Sequence, residues 1–280
     1  RHVKRFFRAG VAGEFDDIDM AMQMHSSKKT PEPTVAVGTS SNGFVGKTIQ
    51  YVGRSAHAAD APDQGINALN AAMLGIMGIN SLRETFRDED AIRVHPIITK
   101  GGDLVNNVPD DVRIETYVRA KTMEAIEKTH KKVDAALRAG GMAIGAEVHI
   151  DTMPGHLPLV CNATLNELLV ENAKEAFPSV KIINAGHFSA STDMGDVSHL
   201  MPAIHPFIGG TDGLLHGADF KVVDFNAAAL LPGKAFAGMV IDLLADNAQK
   251  AKALLDHYEP ILTKDAYIKK LDSYFSEEEP

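Results

Sequence analysis

Cysteine is almost missing from this sequence: Cys161 is the only one in 280 residues. One thiol closes no internal disulfide, and no zinc ribbon or Cys-x-x-Cys pair can be built. That usage suits a reducing compartment, so a cytoplasmic location is expected. Basic clusters are missing too. Lys and Arg number 28 against 37 Asp and Glu, a formal net charge of −9 with His neutral. Such a chain is a poor candidate for nucleic acid or an anionic membrane surface as a partner. No apolar run approaches the ~20 residues of a spanning helix, so no membrane segment is expected. The basic start, Arg1 to Phe7, is not followed by an apolar stretch and does not read as a signal peptide. It reads instead as the end of a helix closing at Gly10. A Gly-x-Ser-x-Gly elbow is absent, which argues against a serine hydrolase. No internal repeat is visible.

What is present is ample for a core, and the length suits two domains. Hydrophobic residues make up 45% of the chain. Residues 17–25 alternate, with Ile18, Met20, Met22 and Met24 on one parity, which predicts a strand ending at His25. The following Ser26, Ser27 and Pro31 read as loop. From about residue 43 a block of strand, helix, strand, strand, helix, strand is expected. Its strands fall near 46–53, 92–99, 111–119 and 146–152, and its helices near 65–86 and 122–139, the second ended by Gly140 and Gly141. This β-α-β-β-α-β order is the ferredoxin-like plan, an antiparallel sheet with both helices on one face. Beyond residue 154, helices are expected over 163–177, 226–246 and 251–275, with a short strand at 180–184. Residues 186–220 are rich in Gly, His, Asp, Ser and Thr with little periodicity, which marks a candidate functional region. The fold class expected is α/β: an outer domain of 1–42 and 155–280, interrupted by an inserted domain over 43–154.

Several residue types could carry chemistry. His25, at a strand end, is either a metal ligand or a half-exposed histidine. His216 lies in a glycine-bearing loop, Gly209 to Gly217, poised for ligation or proton transfer, or is incidental to that loop. His57, where a strand passes into a loop before Pro62, could donate to an oxyanion or be structural. Asn106 and Arg119 could grip a carboxylate, or Arg119 could sit in a weak surface ion pair. His187, Ser191, Asp193, His199 and His205 crowd one stretch without a pattern that fixes their geometry. Cys161 reads as a packing residue.

Taken together, these stretches resemble a known family. Gly53-Arg54-Ser55-Ala56-His57-Ala58-Ala59 with Pro62 and Gly65-Ile66-Asn67-Ala68-Leu69, then Asn106-Asn107-Val108-Pro109 and Tyr117-Val118-Arg119, are similar to the dimerisation domain of the co-catalytic metallopeptidases. That family includes aminoacylases, glutamate carboxypeptidases and aminobenzoyl-glutamate or auxin-conjugate amidohydrolases. Ser191 to Ser198 and Ile204-His205-Pro206 resemble its aminobenzoyl-glutamate hydrolase branch. The resemblance implies a zinc-exopeptidase-like catalytic domain with an inserted ferredoxin-like domain that forms a homodimer through 43–154. It implies metal-dependent hydrolysis of N-acyl amino acids or dipeptides. His25 and His216 would be ligands to two divalent metal ions, zinc foremost and manganese as the other choice. His57 would reach into the partner subunit's site to stabilise the oxyanion, and Asn106 and Arg119 would hold the substrate carboxylate. The family's Cys-x-His or His-x-Asp pair and its Glu-Glu general base, which precede the equivalent of His25, are not found in this sequence. The chain is therefore expected to lack an upstream segment and to be weakly active or inactive alone. The rival expectation is a non-catalytic dimerising or binding subunit that keeps the scaffold; a third is a metal-free hydrolase using the histidine-rich stretch.

Overall fold

The computed structural model describes residues 15–277, so the helix expected at the N-terminus lies outside the described residues. The chain forms two compact units. One takes in residues up to Ser41, Leu159–Phe188 and Thr192–Ile268; the other takes in Asn42–Pro158, Ser189–Ser191 and the chain from Lys269 onward.

The first unit opens with short strands. These are β1 (Ala21–Met22), β2 (His25–Lys28), β3 (Thr34–Val37) and β4 (Ser40–Ser41). The single strand expected to end at His25 is thus broken, and His25 begins a strand instead. Ser26 and Ser27, expected as loop, belong to β2. The pairing explains this: β2 runs parallel to a later strand, with His25 opposite Phe207 and Ser26 opposite Ile208. A ladder to a distant strand overrides local turn preference.

The second unit holds β5 (Gly43–Val52), α1 (Ala68–Leu82), β6 (Arg93–Val94), β7 (Ile97–Lys100), β8 (Asp111–Ala120), α2 (Met123–Ile144) and β9 (Glu147–Pro154). Its sheet runs β6-β8-β5-β9, with β7 also on β8, and every pairing is antiparallel. This is the expected ferredoxin-like order, except that the strand expected at 92–99 is split in two. Val112, Ile114, Thr116, Val118 and Ala120 of β8 are buried, while Arg113, Glu115 and Tyr117 are exposed. Both helices therefore cover one face. Asn67 and Thr122 cap them through side-chain oxygens that accept from Asn70 N and Ala125 N.

Gly140 and Gly141 do not end α2. They lie inside it, and the helix closes at Gly145 with φ 81°. The reason is packing: a Cβ on Gly140 would stand 2.4 Å from Gly75 N and 2.5 Å from Ala71 O. Glycine lets α1 and α2 touch backbone to backbone. Beneath them Tyr51 is fully buried and its hydroxyl donates to Leu137 O at 2.8 Å.

Returning to the first unit, the elements are β10 (Leu159–Val160), α3 (Ala163–Ala176), β11 (Lys181–Asn184), β12 (His187–Phe188), α4 (Met194–Leu200), β13 (Ala203–Ile204), β14 (Phe207–Asp212) and β15 (Lys221–Val222). A π-helical turn, Asn226–Leu230, leads into α5 (Leu231–Asp256), and α6 spans Lys264–Tyr274. One mixed sheet runs β11-β3-β14-β15, with β2 on β14. Val35, Ile208, Leu165, Leu169, Leu231, Ala235 and Met239 form the core between this sheet and α3 and α5. Their four-residue steps, Leu165 to Leu169 and Leu231 to Ala235 to Met239, place them on one face of each helix.

The break expected between the helices at 226–246 and 251–275 is present, but the second of these helices is itself interrupted between Asp256 and Lys264. Between Leu244 and Gln249 the backbone leaves the helix, with Asp246, Asn247 and Ala248 all at positive φ. The stretch Asn226–Asp256 is long and apolar enough, by length and composition, to cross a membrane. No membrane segment is expected from the sequence, which has no uninterrupted apolar run of that length. In the first unit Leu231, Ala235, Met239 and Leu243 of this stretch are core residues.

Candidate active site

The expected site residues fall in two groups, His25 and His216 in the first unit and His57, Asn106 and Arg119 in the second.

His25 is exposed at the start of β2. Its backbone N–H donates to Pro206 O at 3.1 Å, continuing the parallel register that pairs Met22 with Ile204. That register brings His205 alongside. Nδ1 of His25 lies 2.5 Å from Nε2 of His205, so the two rings share one proton across this contact. His205 is 2% exposed, and its Nδ1 has no hydrogen-bond partner among the described residues. Its ring stacks on Phe207, with centroids 5.6 Å apart and planes at 19°. Burial pushes the His205 pKa down to about 4, with the neighbouring His25 adding to the depression and Asp193 opposing it.

His216 is exposed and adopts a left-handed conformation, φ 64°, in the loop after β14. Non-glycine residues seldom take that conformation without a local constraint. The adjacent Gly217 N–H donates to Leu214 O at 2.8 Å, which tightens the turn. Imidazoles suit a zinc-like ion, but a catalytic zinc takes at least three protein ligands. Among the described residues no group of three or more His, Cys, Asp or Glu is placed to hold one. His25 and His216 thus offer the right donor atoms without closing a metal site by themselves.

In the second unit His57 is tied to the loop before β8. It forms an isolated antiparallel bridge with Asn107, and Ala58 N–H donates to Asn106 O at 2.8 Å. The exposed ring of His57 turns back on its own chain. Its Nδ1 accepts from Ala59 N at 3.3 Å and Asp60 N at 3.0 Å. An Nδ1 that accepts carries no proton, so the ring's N–H is at Nε2. Gly53 makes this turn possible, since a Cβ there would collide with Ile66 O at 2.1 Å. A cleft of about 650 Å³ adjoins the loop, lined by Pro62, Asn67, Leu69, Asp103, Asn107 and Pro109. Neither His57 nor Asn106 lines it.

Arg119 stands near the end of β8. Its guanidinium lies 5.5 Å from the Phe44 ring centroid and 5.4 Å from that of Tyr117, and Nη1 donates to Ser191 Oγ at 3.4 Å. No carboxylate pairs with it among the described residues, so the fork is oriented by two aromatic faces while its charge stays uncompensated. Phe44 was not singled out in the sequence, and Tyr117 only as a neighbour of Arg119 in the resemblance; the signal was their parity with Arg119 on the open sheet face.

The histidine-rich stretch builds no catalytic triad among the described residues. His199 Nδ1 donates to Gly195 O at 2.8 Å, His187 Nδ1 meets Ser40 Oγ at 2.9 Å, and Ser191 serves Arg119. Burial pushes the Cys161 thiol pKa up, which leaves it an inert packing group.

Residues 25–143 match the family described as the peptidase dimerisation domain. Xaa-Arg dipeptidase of Mus musculus is 32% identical over 83% of this chain and 54% of its own length. One of the two p-aminobenzoyl-glutamate hydrolase chains of Escherichia coli is 29% identical over 58% of this chain and 31% of its own. The chain thus spans about half the length of the dipeptidase it matches. Among solved structures, a Bacillus subtilis dinuclear metal-binding peptidase of the M20 family superposes with TM-score 0.63 at 17% identity, covering 86% of this chain and 61% of that one. The aminobenzoyl-glutamate utilization protein of Klebsiella pneumoniae gives 0.62 at 19%, covering 85% and 57%. Residues 25–143 thus carry a peptidase dimerisation domain, and the chain shares the mixed α/β fold of these solved structures.

Proposed function

We propose that this chain serves a metal-dependent hydrolase of amide bonds, acting on dipeptides or N-acyl amino acids of the aminobenzoyl-glutamate kind. The observation that carries the reading is the preset tautomer of His57. Two backbone N–H groups occupy Nδ1, so Nε2–H is a ready donor for the oxyanion of a tetrahedral intermediate. The names of the relatives supply the reaction class.

Each residue then has a role. Arg119, held flat by Phe44 and Tyr117, offers a two-pronged donor to the substrate carboxylate, and Asn106 assists it. His25 and His216 contribute ligands toward two divalent ions, zinc by preference and manganese as the alternative. When bound, such ions polarise a carbonyl and lower the pKa of a water. The second unit forms a homodimer through 43–154, and His57 serves the partner's site. Exposed Met73, Met77, Ile97, Ile98, Leu104 and Val105 give that unit the apolar surface an interface needs. The single half-buried thiol agrees with a cytoplasmic setting. The competing reading, a scaffold subunit without catalysis, draws on the lack of a three-donor group among the described residues.

Replacing His57 by Ala in the whole protein should lower turnover by about 10²–10³-fold with bound metal unchanged. Equal turnover in wild type and variant would remove His57 from the chemistry.

A further inference from the structure

β9 ends the order β6-β8-β5-β9, so one of its edges faces away from the sheet. Such an edge offers backbone N–H and C=O groups to any extended chain. Residues of one parity, Val148, Thr152 and Pro154 among them, turn those groups outward. The two ends of the edge are blunted. Pro154 has no N–H to give, and Val148 O accepts from the exposed Arg138 Nη1 at 3.2 Å. Between them, the chain's own C-terminal end answers Thr152. Thr152 N–H donates to Ser276 O at 2.8 Å, and Ser276 N–H donates to Thr152 O at 3.1 Å. That reciprocal pair is one rung of an antiparallel ladder.

From Lys269 onward the chain belongs to the second unit, and side chains at the end of α6 bring the tail to β9. Tyr274 is 5% exposed, its hydroxyl donates to Glu127 Oε1 at 3.4 Å, and His130 meets its ring edge-on at 6.2 Å. Lys270 lies 5.1 Å from the same ring and ion-pairs with Glu127. Glu127 and His130 both stand on α2, so the tail is anchored there by side chains. Its hold on β9 is backbone alone, at one residue. A strand that makes several rungs competes with such a hold. A second β9 is one: laid antiparallel about a two-fold axis at Ile150, it sets Thr152 against Val148 of the copy. The same register sets His149 against Asp151, an opposed pair rather than two like charges.

We propose that the edge of β9 is a strand-docking site that the chain keeps filled with its own tail at Ser276, and that freeing the tail opens this edge to β9 of a second copy. The inference is independent of the hydrolase reading. Ser276→Pro in the 280-residue chain tests it, since it removes the donor to Thr152 O and leaves Tyr274 and Lys270 in place. Sedimentation velocity over a range of concentrations reads the pairing, and hydrogen exchange at the Thr152 amide reads the edge. The variant is expected to reach twice the wild-type mass as concentration rises, with native circular dichroism. Its Thr152 amide should lose protection when dilute and regain it on association. Ser276→Ala, which keeps both backbone bonds, should match wild type in both readouts. Ser276→Pro at wild-type mass throughout, with Thr152 unprotected, would overturn the docking site. Unchanged protection of Thr152 at wild-type mass would show that Ser276 does not guard the edge, and association only with loss of native circular dichroism would be aggregation; either result overturns the proposal.

Discussion

Lys47 points from β5 into the helix-covered side of the second unit, and its side chain has no exposed area. Its ammonium lies 2.7 Å from Asp134 Oδ1 and 2.8 Å from Thr152 Oγ1. Burial alone would push the Asp134 pKa up, but the hydrogen bonds from His130 and Lys47 win and hold it below the usual carboxylate range. Removing one partner of such a pair strands the other charge. Lys47→Met should cost about 3–5 kcal/mol in urea unfolding, and adding Asp134→Leu should recover part of it. A loss under about 1 kcal/mol in the single variant would show that Asp134 relaxes to water. Asp111 is a partly exposed counterpart. Burial acts to raise its pKa, but bonds from Arg113, Lys100 and Gln50 outweigh it and lower the value to about 2. A carboxylate whose folded pKa is depressed contributes stability above its unfolded value, near 3.9, and loses it as pH falls toward 2. The stability gap between wild type and Asp111→Asn should therefore be present at pH 6 and close by about pH 2. A gap that persists there would mean its partners do not bind the ionised form. At this scale the sequence supplied the residue types and the resemblance supplied the roles. Neither pointed to Lys47, because nothing local marks a lysine whose partners lie 87 and 105 positions away.

At the scale of elements, glycine separates what was legible from what was not. Two glycines in a row predict a helix stop, and α2 runs through them because α1 crosses at that point. A Cβ on Gly140 would meet backbone atoms of Gly75 and Ala71, which cannot swing aside. Gly140→Ala should destabilise by about 1–3 kcal/mol despite the better helix propensity of alanine. Gly233 in α5 is the control, with nothing within 4 Å of its would-be Cβ. Gly233→Ala should stabilise by up to about 1 kcal/mol. Thermal melts of the two variants should move in opposite directions; a common direction would mean that propensity, not contact, decides at Gly140. The alternation of β8 was readable because one face is buried and the other open. Ser26 and Ser27 were not readable as a strand, because their ladder partner lies some 180 residues downstream. The left-handed break after Leu244 falls within a few residues of the boundary expected between 246 and 251, whereas the interruption between Asp256 and Lys264, inside the helix expected over 251–275, was not read.

For the whole molecule, the ferredoxin-like order and its place inside an outer α/β unit were legible from strand and helix periods. Pairs such as His25 with His205, and Arg119 with its two rings, needed the folded chain. The apolar face of the second unit carries its own prediction. Met77 on α1 is 61% exposed and Ile97 on the edge strand β7 is 53% exposed. If these meet a second copy, Met77→Asp should shift the sedimenting species from dimer to monomer while circular dichroism stays unchanged. An unaltered dimer would place the interface elsewhere. The central claim is metal-dependent amide hydrolysis, and the most direct measurement is release of the C-terminal amino acid from Xaa-Arg dipeptides and from aminobenzoyl-glutamate by the whole protein, with and without a chelator. The account predicts hydrolysis that the chelator abolishes and zinc or manganese restores, and that His25→Ala lacks. Hydrolysis indifferent to the chelator, or none of either substrate with metal supplied, would contradict it.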